Sequence, residues 1–288
     1  MSNPGSSRGT LLITGASGGI GSEVAKLFQK RGWNVVATMR TPKKGSALAD
    51  LPNVFVTKLD VTDTSSIELA VKAGIDHFGS IDVLINNAGY GVYAPLEAIS
   101  SEIIRDQFEV NVFGYLETIK AMLPHFRERG SGLIINVSSI GGVITFPFGT
   151  LYHGTKWAIE GISEALSFEL REIGVGVKLV EPGDVLTEFK IDTPDSSSLP
   201  QYQPLVSRFM DCYAPIKAQG SEPIVIAEAI FMAATDGADR LRYPAGHDAI
   251  TKIQNRKDWT EARYMADMRS QFAISEAVPK LNIAGAGK

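Results

Sequence analysis

The feature that most constrains the fold of this chain is a regular alternation between short apolar segments and longer amphipathic segments. The short segments have the length and residue types of buried strands, and the longer segments have helical periodicity. Strands that alternate with helices form a parallel sheet covered by helices on both faces. The right-handed crossover rule arranges such units as a doubly wound sheet. We therefore predict an α/β protein with a single Rossmann-type domain, built on a parallel sheet of about seven strands flanked by helices.

The periodicity also predicts the individual elements. Strands are expected at Thr10–Thr14, Asn34–Met39, Val54–Leu59, Ile81–Ile85, Leu133–Val137, Val175–Val180 and Leu241–Tyr243. Helices are expected at Thr62–Phe78, Ser101–Arg129, Thr150–Ile173 and Pro223–Ala234. We expect Asp63 or Thr64 to cap the first of these helices, and Pro124 to break the second.

The predicted domain covers residues 1–250. Within it, residues 186–220 contain four prolines and scattered aromatic residues, which is typical of an irregular substrate loop or lid. Residues 251–288 form a C-terminal extension, in which we expect a helix at Lys257–Phe272 followed by a flexible tail.

Composition excludes several classes of function. The net charge is −4, from 28 basic and 32 acidic residues without a block of like charge, which argues against a nucleic-acid partner. The sequence contains no stretch of about 18 apolar residues, so no membrane span is predicted. The N-terminal segment also lacks the pattern of a signal peptide. The single cysteine, Cys212, excludes an internal disulfide and fits a cytoplasmic protein. The four histidines form no H-E-x-x-H pair, so no metal site is expected.

A glycine-rich turn, Thr14–Gly21, joins the first strand to the first helix. Glycine permits positive φ angles and close backbone approach, and the free N–H groups of a helix N-terminus suit a pyrophosphate. We therefore interpret the turn as a nucleotide site, although its G-x-x-x-G-x-G spacing differs from the common dinucleotide fingerprint. The residues expected at the cofactor are Gly15, Ser17, Gly19, Ile20 and Gly21.

Two alternatives are open for this turn. The first is a tight turn without a ligand. The second is the nucleophile elbow of a serine hydrolase, because Gly15–Gly19 also matches G-x-S-x-G around Ser17. That elbow normally follows several strands, whereas only a polar segment precedes this turn.

The end of the second strand bears on cofactor choice, because NAD-binding sheets place an acidic residue there for the ribose 2′-hydroxyl. The end of this strand is Ala37–Arg40, and the first carboxylate that follows it is Asp50. The planar guanidinium of Arg40 can bind a 2′-phosphate through two hydrogen bonds, so we predict NADP(H) rather than NAD(H). The alternative is a solvated basic loop, which is our interpretation for Lys43 and Lys44.

Tyr152 and Lys156 lie four residues apart and therefore share one face of the predicted helix. A free tyrosine has a pKa of about 10, and a neighbouring positive charge lowers it, so the pair is a candidate general acid/base unit. The same spacing recurs at Tyr213 and Lys217. Pro215 disfavours a regular helix there, and we interpret this second copy as part of a loop.

Six motifs occur together in the order and spacing of one family. They are Thr14–Gly21, Asn86–Gly89, Asn111, Ser139, Tyr152-x-x-x-Lys156 and Pro182–Gly183. In these motifs the chain resembles the short-chain dehydrogenase/reductases over about residues 9–250. Arg40 also makes it similar to the NADP-preferring members related to the 17β-hydroxysteroid dehydrogenases, a likeness from which no steroid substrate follows.

The resemblance implies a hydride transfer between a nicotinamide and the carbon of a carbonyl or secondary alcohol. It makes Tyr152 the acid that protonates the carbonyl oxygen during reduction and the base in the reverse reaction. Lys156 would lower the tyrosine pKa and bind the nicotinamide ribose, and Ser139 would orient the substrate oxygen. Asn111 would interrupt its helix and hold a water molecule that links Lys156 to solvent.

The resemblance also extends the cofactor site beyond the glycine turn. Asp60 and Val61 resemble the pair that contacts the adenine. A P-G-x-x-x-T stretch would cradle the nicotinamide through four of its residues. Besides Arg40, Tyr152 and Lys156, the residues implied at NADP(H) are Asp60, Val61, Asn87, Ala88, Gly89, Pro182, Gly183, Val185 and Thr187.

The expected partner is a small hydrophobic carbonyl compound or alcohol, because aromatic residues are frequent in the segments that would line the pocket. They are Phe146, Phe148, Phe189, Tyr202 and Phe209. By resemblance, we also expect a homodimer formed through the two long helices. Two other functions are open. The first is an NADP(H)-binding regulatory protein without catalysis, but all four catalytic positions contain residues that are able to act, which argues against it. The second is a serine hydrolase with Ser17 as its nucleophile.

Overall fold

The computed structural model describes residues Gly9–Ser275. Its strands are β1 (Thr10–Ile13), β2 (Asn34–Met39), β3 (Val54–Lys58), β4 (Val83–Asn86), β5 (Gly91–Val92), β6 (Gly132–Val137), β7 (Val175–Pro182), β8 (Ile191–Asp192) and β9 (Arg242–Ala245). Seven strands form one sheet in the order β3-β2-β1-β4-β6-β7-β9, and every pair in it is parallel. The short strands β5 and β8 pair separately.

Helices connect the strands and cover both faces of the sheet, which confirms the predicted fold class. They are α1 (Gly19–Lys30), α2 (Ser46–Ala49), α3 (Thr64–Phe78), α4 (Ser101–Phe108), α5 (Gly114–Arg129), α6 (Thr150–Arg171), α7 (Gln203–Ala218), α8 (Pro223–Thr235), α9 (His247–Asp258) and α10 (Glu261–Gln271). One apolar cluster joins α1 and α8 to the sheet through Phe28 and Ile230. Another joins α3, α5 and α6 to the opposite face through Ile67, Met122 and Leu170.

The strand order reverses beside β1, which pairs with β2 on one side and with β4 on the other. In open α/β sheets, ligands bind in the crevice at the carboxyl ends of the strands next to such a switch point. The segments that follow β1, β4 and β6 meet the end of β7 at this edge, and the four places contain the glycine turn, Asn87–Gly89, Ser139 and Pro182–Gly183. The topology therefore gathers motifs that are far apart in sequence.

The long helix predicted at Ser101–Arg129 is interrupted around Asn111, where the resemblance implied an interruption, and not at Pro124. A π-helical turn, Glu109–Phe113, separates α4 from α5. Pro124 lies inside α5 and does not break it. Because proline has no N–H, the carbonyl of Lys120, four residues earlier, loses its usual helical hydrogen bond. Both residues are exposed, so water can hydrogen-bond to that carbonyl. Buried residues elsewhere on α5 keep the helix packed against the sheet.

The segment 186–220 is more regular than predicted. It contains β8 and the 16-residue helix α7, with Pro215 inside the helix. The interpretation of Tyr213–Lys217 as a loop is therefore wrong. Pro215 and Asp211 are exposed, and Phe209 anchors the helix in the interior.

The C-terminal helix predicted at Lys257–Phe272 corresponds to α10, which begins four residues later, and a further helix that was not predicted, α9, precedes it. Helix α9 begins at His247, and the Thr260 side chain caps α10 by accepting a hydrogen bond from Arg263 N at 3.3 Å. The predicted flexible tail, residues 276–288, lies outside the described residues. Between Gly9 and Ser275, no helix is long and apolar enough to cross a membrane.

Candidate active site

The glycine turn has the close packing that requires glycine. Gly15 and Gly19 have φ angles of +72° and +53°. A Cβ on Gly21 would lie 2.3 Å from Gly15 O, and one on Gly15 would lie 2.9 Å from Ala88 Cα. Larger residues therefore cannot be accommodated at Gly15 or Gly21 without moving the backbone.

The N-terminus of α1 is open to an anion. No side chain caps it, and its first turn contains no acidic residue. Thr187 lies beside Gly19, whose added Cβ would be 3.4 Å from Thr187 Cβ. Ser17 is exposed, and within the described residues it makes no hydrogen bond to a histidine or carboxylate, so the arrangement that a hydrolase nucleophile needs is not formed there.

Thr14 connects the glycine turn to the segment after β4. Its hydroxyl accepts hydrogen bonds from Asn87 N at 2.9 Å and Ala88 N at 3.1 Å. Asn87 Nδ2 in turn donates to Thr14 O at 3.0 Å and Gly15 O at 3.3 Å. The two motifs therefore form one rigid unit at the edge of the sheet.

Asn111 lies in the π-helical turn and is fully buried. Its Oδ1 accepts from Tyr90 N at 3.1 Å, and its Nδ2 donates to Tyr90 O at 2.8 Å and to Thr155 Oγ1 at 3.2 Å. Gly89 packs on the same amide, because a Cβ there would lie 3.2 Å from Asn111 Oδ1. Asn111 thus joins the segment after β4 to helix α6.

Tyr152 lies in the first turn of α6, near Ser139 at the end of β6. Burial raises the pKa of Tyr152 to about 12, hydrogen bonding to Ser139 lowers it, and the charge of Asp184 raises it. The expectation that the pKa of Tyr152 would be lowered is wrong for this structure, because burial dominates. The Ser139 hydroxyl also accepts a hydrogen bond from Gly141 N at 3.0 Å.

Lys156 is buried one turn further along α6. Its Nζ donates to Val137 O at 2.8 Å and lies 5.8 Å from the ring centre of Tyr152. Tyr115 donates to the same carbonyl at 3.1 Å. Burial lowers the pKa of Lys156 to about 8, and the charge of Glu160 acts in the opposite direction.

The residues predicted to contact the adenine half of the cofactor line the other side of the switch point. Arg40 follows β2 and is exposed, without a side-chain hydrogen bond or ion pair to any described residue. Two residues earlier, Thr38 O accepts a hydrogen bond from Ala16 N in the glycine turn at 2.9 Å. Asp60 accepts hydrogen bonds from Thr62, and Val61 packs in the core.

The segment after β7 closes the site. Gly183 packs so tightly on Asp248 that an added Cβ would lie 2.0 Å from its carboxylate. Asp248 also accepts a hydrogen bond from Asp184 N at 2.8 Å. Pro182 ends β7 beside Ala245, and Thr187 N donates to Val185 O at 2.9 Å.

Aromatic rings surround Tyr152. Tyr93 and Phe189 have ring centres 5.8 Å and 5.9 Å from that of Tyr152. Phe146 continues the wall at 6.0 Å from Tyr93. Phe148 packs on Phe209 at 5.4 Å. Of the five predicted pocket residues, Tyr202 makes no ring contact within residues 9–275 and is instead hydrogen-bonded to Glu97.

Helices α7 and α10 complete this aromatic wall. Phe272, which is buried, lies 5.9 Å from Phe146 and 5.3 Å from Phe209. Tyr213 lies 5.6 Å from Phe146, and its hydroxyl donates to Asp184 Oδ1 at 2.6 Å. Tyr264 of α10 donates to Thr145 O at 3.0 Å. The C-terminal helices therefore pack on the segment that precedes Tyr152.

Sequence reasoning missed several residues that organise the site. Their contributions depend on contacts between segments that are far apart in the sequence, for which the sequence carries no periodic signal. They are Thr14, Tyr115, Thr155, Asp184, Tyr213, Asp248 and Phe272. Within Gly9–Ser275, no group of three or more His, Cys, Asp or Glu side chains could hold a metal ion.

The parallel sheet with its glycine turn at the switch point defines a nucleotide-binding protein of the doubly wound class. Residues 9–197 match the profile of a family described as short chain dehydrogenase. The chain therefore belongs to the short-chain dehydrogenase/reductase family of oxidoreductases. An uncharacterized oxidoreductase of Schizosaccharomyces pombe is 48% identical over 236 residues, which are 82% of this chain and 100% of the relative.

Solved structures agree with this assignment. A short-chain dehydrogenase from Streptomyces avermitilis is 30% identical and superposes with a TM-score of 0.81, over 95% of this chain and 100% of that chain. A short-chain dehydrogenase from Burkholderia cenocepacia in complex with NADP is 27% identical, with a TM-score of 0.71 over 90% of this chain and 97% of that chain.

Proposed function

We propose that this oxidoreductase transfers a hydride between NADP(H) and a carbonyl or secondary alcohol, with Tyr152 as the proton donor or acceptor. The observation that carries the proposal is the position of Tyr152 between Ser139 and the buried Lys156, at the carboxyl edge of the sheet beside the glycine turn. When bound, the cofactor supplies the hydride. The protein supplies the proton, the orientation and a dry cavity.

The charge states of the site fit a reduction. With a pKa of about 12, Tyr152 keeps its proton at neutral pH and can donate it to a carbonyl oxygen. Ser139, hydrogen-bonded to Tyr152, is placed to orient that oxygen. Lys156, with a pKa of about 8, is mainly protonated at neutral pH. In our proposal the ammonium group binds the nicotinamide ribose and stabilises a Tyr152 phenolate as the proton leaves.

The residues around the glycine turn fit a dinucleotide. The uncapped N-terminus of α1 would bind the pyrophosphate. Asn87, Ala88 and Gly89 would contact the cofactor between the turn and Asn111. Val185 and Thr187 would hold the nicotinamide. Asp60 and Val61 would contact the adenine.

Preference for NADP(H) over NAD(H) is supported by Arg40. Its exposed guanidinium, which pairs with no side chain between Gly9 and Ser275, follows β2, where an NAD-binding sheet has an acidic residue. The backbone contact between Ala16 and Thr38 fixes the distance between this strand end and the glycine turn. A related dehydrogenase from B. cenocepacia binds NADP.

The proposed substrate is hydrophobic. Aromatic rings lie against Tyr152, and one of them, Phe189, is exposed at 39%, where a substrate could cover it. We assign residues 186–220 to the covering lid. We also include the C-terminal helices in the substrate site, because Phe272 packs on Phe146.

We also propose a homodimer. Phe113 beside α5, and Trp157 and Phe168 on α6, are large apolar side chains exposed at 49%, 47% and 70%. Apolar residues exposed on adjacent helices are typical of a surface that another chain covers. Light scattering should give a mass near twice 31.0 kDa; a monomer would contradict this. The cytoplasmic location stays a prediction.

A panel of aliphatic and aromatic ketones and aldehydes, assayed with NADPH and NADH, tests the proposed function. We expect NADPH oxidation with hydrophobic carbonyl compounds and a lower kcat/KM with NADH. Arg40→Ala should reduce the preference about tenfold or more, because a charged hydrogen-bonded pair with the 2′-phosphate is lost; Lys44→Ala is the matched control. Binding of NADPH without turnover of any carbonyl would favour the regulatory alternative, and an unchanged preference in Arg40→Ala would exclude its proposed role.

A further inference from the structure

His153 directly follows the proposed catalytic tyrosine on α6 and has no part in the proposed reaction. Its side chain is buried, with only 3% exposed. Burial lowers the pKa of His153 to about 4, and its hydrogen bond to Gly141 acts in the opposite direction. The imidazole is therefore uncharged at neutral pH, so one ring nitrogen carries a hydrogen and the other is a bare acceptor.

The hydrogen of this ring lies on Nδ1. His153 Nδ1 is 3.0 Å from Gly141 O, and a carbonyl oxygen only accepts hydrogen bonds, so Nδ1 is the donor. Nε2 is then the bare acceptor, and no group between Gly9 and Ser275 donates to it. A Cβ on Gly149 would lie 2.4 Å from Nε2, so the chain closes that side of the ring. Within this part of the chain, the hydrogen bond of the imidazole is therefore the one that it donates to Gly141.

Gly141 connects this histidine to the proposed catalytic serine. It lies in the short 3-10 turn Ile140–Gly142, which directly follows Ser139. Gly141 N donates to Ser139 Oγ at 3.0 Å, so the serine oxygen is held from one side while its own hydrogen stays free to be donated. Ser139 is also hydrogen-bonded to Tyr152. Gly141 therefore accepts from the histidine through its carbonyl and donates to the serine through its N–H.

The packing around Gly141 leaves little freedom for this connection. A Cβ on Gly141 would lie 2.7 Å from His153 Nδ1 and 3.3 Å from Tyr152 Cε1. The ring of Phe146 lies edge-on against the imidazole, with the two ring centres 4.4 Å apart. The imidazole is therefore fixed between the turn after Ser139 and the segment before α6, and a displacement of the ring would also displace Gly141.

The hydrogen bond from His153 differs from those that shape the turn from within. An example of the latter runs from Gly142 N to Ser139 O at 2.9 Å, and it leaves the position of the turn relative to α6 open. The bond from His153 connects the turn to α6, the helix that carries Tyr152 and Lys156. It therefore joins the serine of the proposed catalytic group to the element that carries the tyrosine and the lysine.

We propose that His153 is a positioning residue for the hydride transfer, which acts through Gly141 to hold the Ser139 hydroxyl at the oxygen of the substrate. This inference rests on the proposed function, in which Ser139 orients that oxygen. The role needs a hydrogen-bond donor at the position of Nδ1, and it needs no proton transfer. A side chain that packs there without a donor leaves Gly141 O unpaired and the turn free to shift.

Two substitutions of similar shape separate the donor from the packing. Asparagine and leucine both branch at Cγ, but only the asparagine amide nitrogen can donate near the position of Nδ1. His153→Leu should lower kcat about 10- to 100-fold through misplacement of the Ser139 hydroxyl, with the KM for NADPH unchanged. His153→Asn should retain at least about a third of the wild-type kcat, because it keeps the donor. Thermal unfolding measures the loss of ring packing that both variants share.

A double-mutant cycle tests whether the effect passes through the serine. Ser139→Ala removes the hydroxyl that His153 is proposed to hold, so adding His153→Leu to it should lower kcat by less than about threefold more. A full further loss would show that His153 acts elsewhere, and equal kcat values in His153→Leu and His153→Asn would show that it only packs; either result overturns the proposal. His153→Gln, whose amide reaches the position of Nε2 instead of Nδ1, should behave like His153→Leu and provides the test if that variant does not fold.

Crystal structures of the variants test the contact without substrate or cofactor. We expect the distance from Gly141 N to Ser139 Oγ to stay near 3.0 Å in His153→Asn and to lengthen in His153→Leu. An unchanged Ser139 in His153→Leu would overturn the proposal whatever the activities are. If the wild-type protein reduces no carbonyl compound but Ser139 moves as expected, the proposed function fails while the hold of His153 on Ser139 stands.

Discussion

The chain carries the same tyrosine-lysine spacing on two helices, and the two copies have opposite environments. On α6, Lys156 is buried and donates to the Val137 carbonyl beside Tyr152. On α7, Lys217 is exposed, and the Tyr213 hydroxyl donates to Asp184 at 2.6 Å. Both pairs lie on regular helices, so helical geometry does not distinguish them.

Burial of the lysine makes the difference. A buried ammonium group interacts strongly with its neighbours because water does not screen it, whereas an exposed one is screened. The pKa of Lys156 is lowered to about 8 by burial. Tyr213 uses its hydroxyl to join the lid helix to the segment after β7, which is a packing role. In the proposed function, the spacing forms an acid/base unit only on α6, where the lysine is buried.

The two pairs should differ most in how much activity is lost when the tyrosine hydroxyl is removed. Tyr152→Phe should lower kcat at least about 1,000-fold, because the proposed proton donor is removed, while NADPH binding, measured by fluorescence, stays nearly intact. Tyr213→Phe should retain at least about a third of the activity. Comparable losses in both variants would show that the two pairs share the chemistry.

Substitution of the two lysines should have nearly as different effects on kcat/KM. Lys156→Met is expected to lower kcat/KM about 100-fold or more, through loss of charge stabilisation at the site, and Lys217→Met should have no effect. In the wild type, the protonated fraction of Lys156 falls as pH rises through about 8, so carbonyl reduction should decline above that pH. A profile that stays flat to pH 10, measured with Lys217→Met alongside, would contradict the proposed role of Lys156.

Phe272, directly after α10, tests whether the C-terminal segment determines substrate choice through packing. Phe272→Ala should destabilise the fold by about 3–5 kcal/mol and raise the kcat/KM ratio of long-chain to short-chain ketones about tenfold, because it opens space beside Phe146. Denaturant unfolding and a ketone series measure the two effects. Leu69→Ala, at an exposed position on α3, is the control. A loss of stability with an unchanged ratio would make Phe272 a core residue only.

The smallest effect is expected for the hydrogen bond between the lid helix and the site. Tyr213→Phe keeps the ring but removes the bond to Asp184, which should cost about 1 kcal/mol of stability and raise KM a few-fold with little change in kcat. Steady-state kinetics and thermal unfolding would show this pattern. A fall in kcat with an unchanged KM would instead place Tyr213 in the chemistry.

Local patterns predicted much of the fold. Strand β2 has the predicted boundaries, Asp63 caps α3 by accepting a hydrogen bond from Ser66 N at 3.1 Å, and α6 begins at Thr150 as expected. The proline rule failed twice, at Pro124 and at Pro215. In both places the affected carbonyl lies on an exposed turn, and buried side chains on the opposite face hold the helix. Local propensity could not anticipate that compensation.

The candidate site was predictable where a motif has a fixed spacing, and not where the contacts are long-range. Ser139, Tyr152 and Lys156 follow from spacing and resemblance. Asp184, Asp248 and Phe272 do not, because their partners lie 29, 64 and 126 residues away or are set by helix packing.

The sequence by itself determined the alternation of strands and helices, the glycine turn and the pairing of a tyrosine with a lysine, because these depend on periodicity and on steric limits within a few residues. Only the tertiary structure decided which tyrosine-lysine pair is buried, which carbonyl receives the Lys156 hydrogen bond and which rings surround Tyr152. The physical reason is that burial and electrostatic coupling depend on distances between elements. Those distances are fixed when the sheet, its helices and the C-terminal segment pack together.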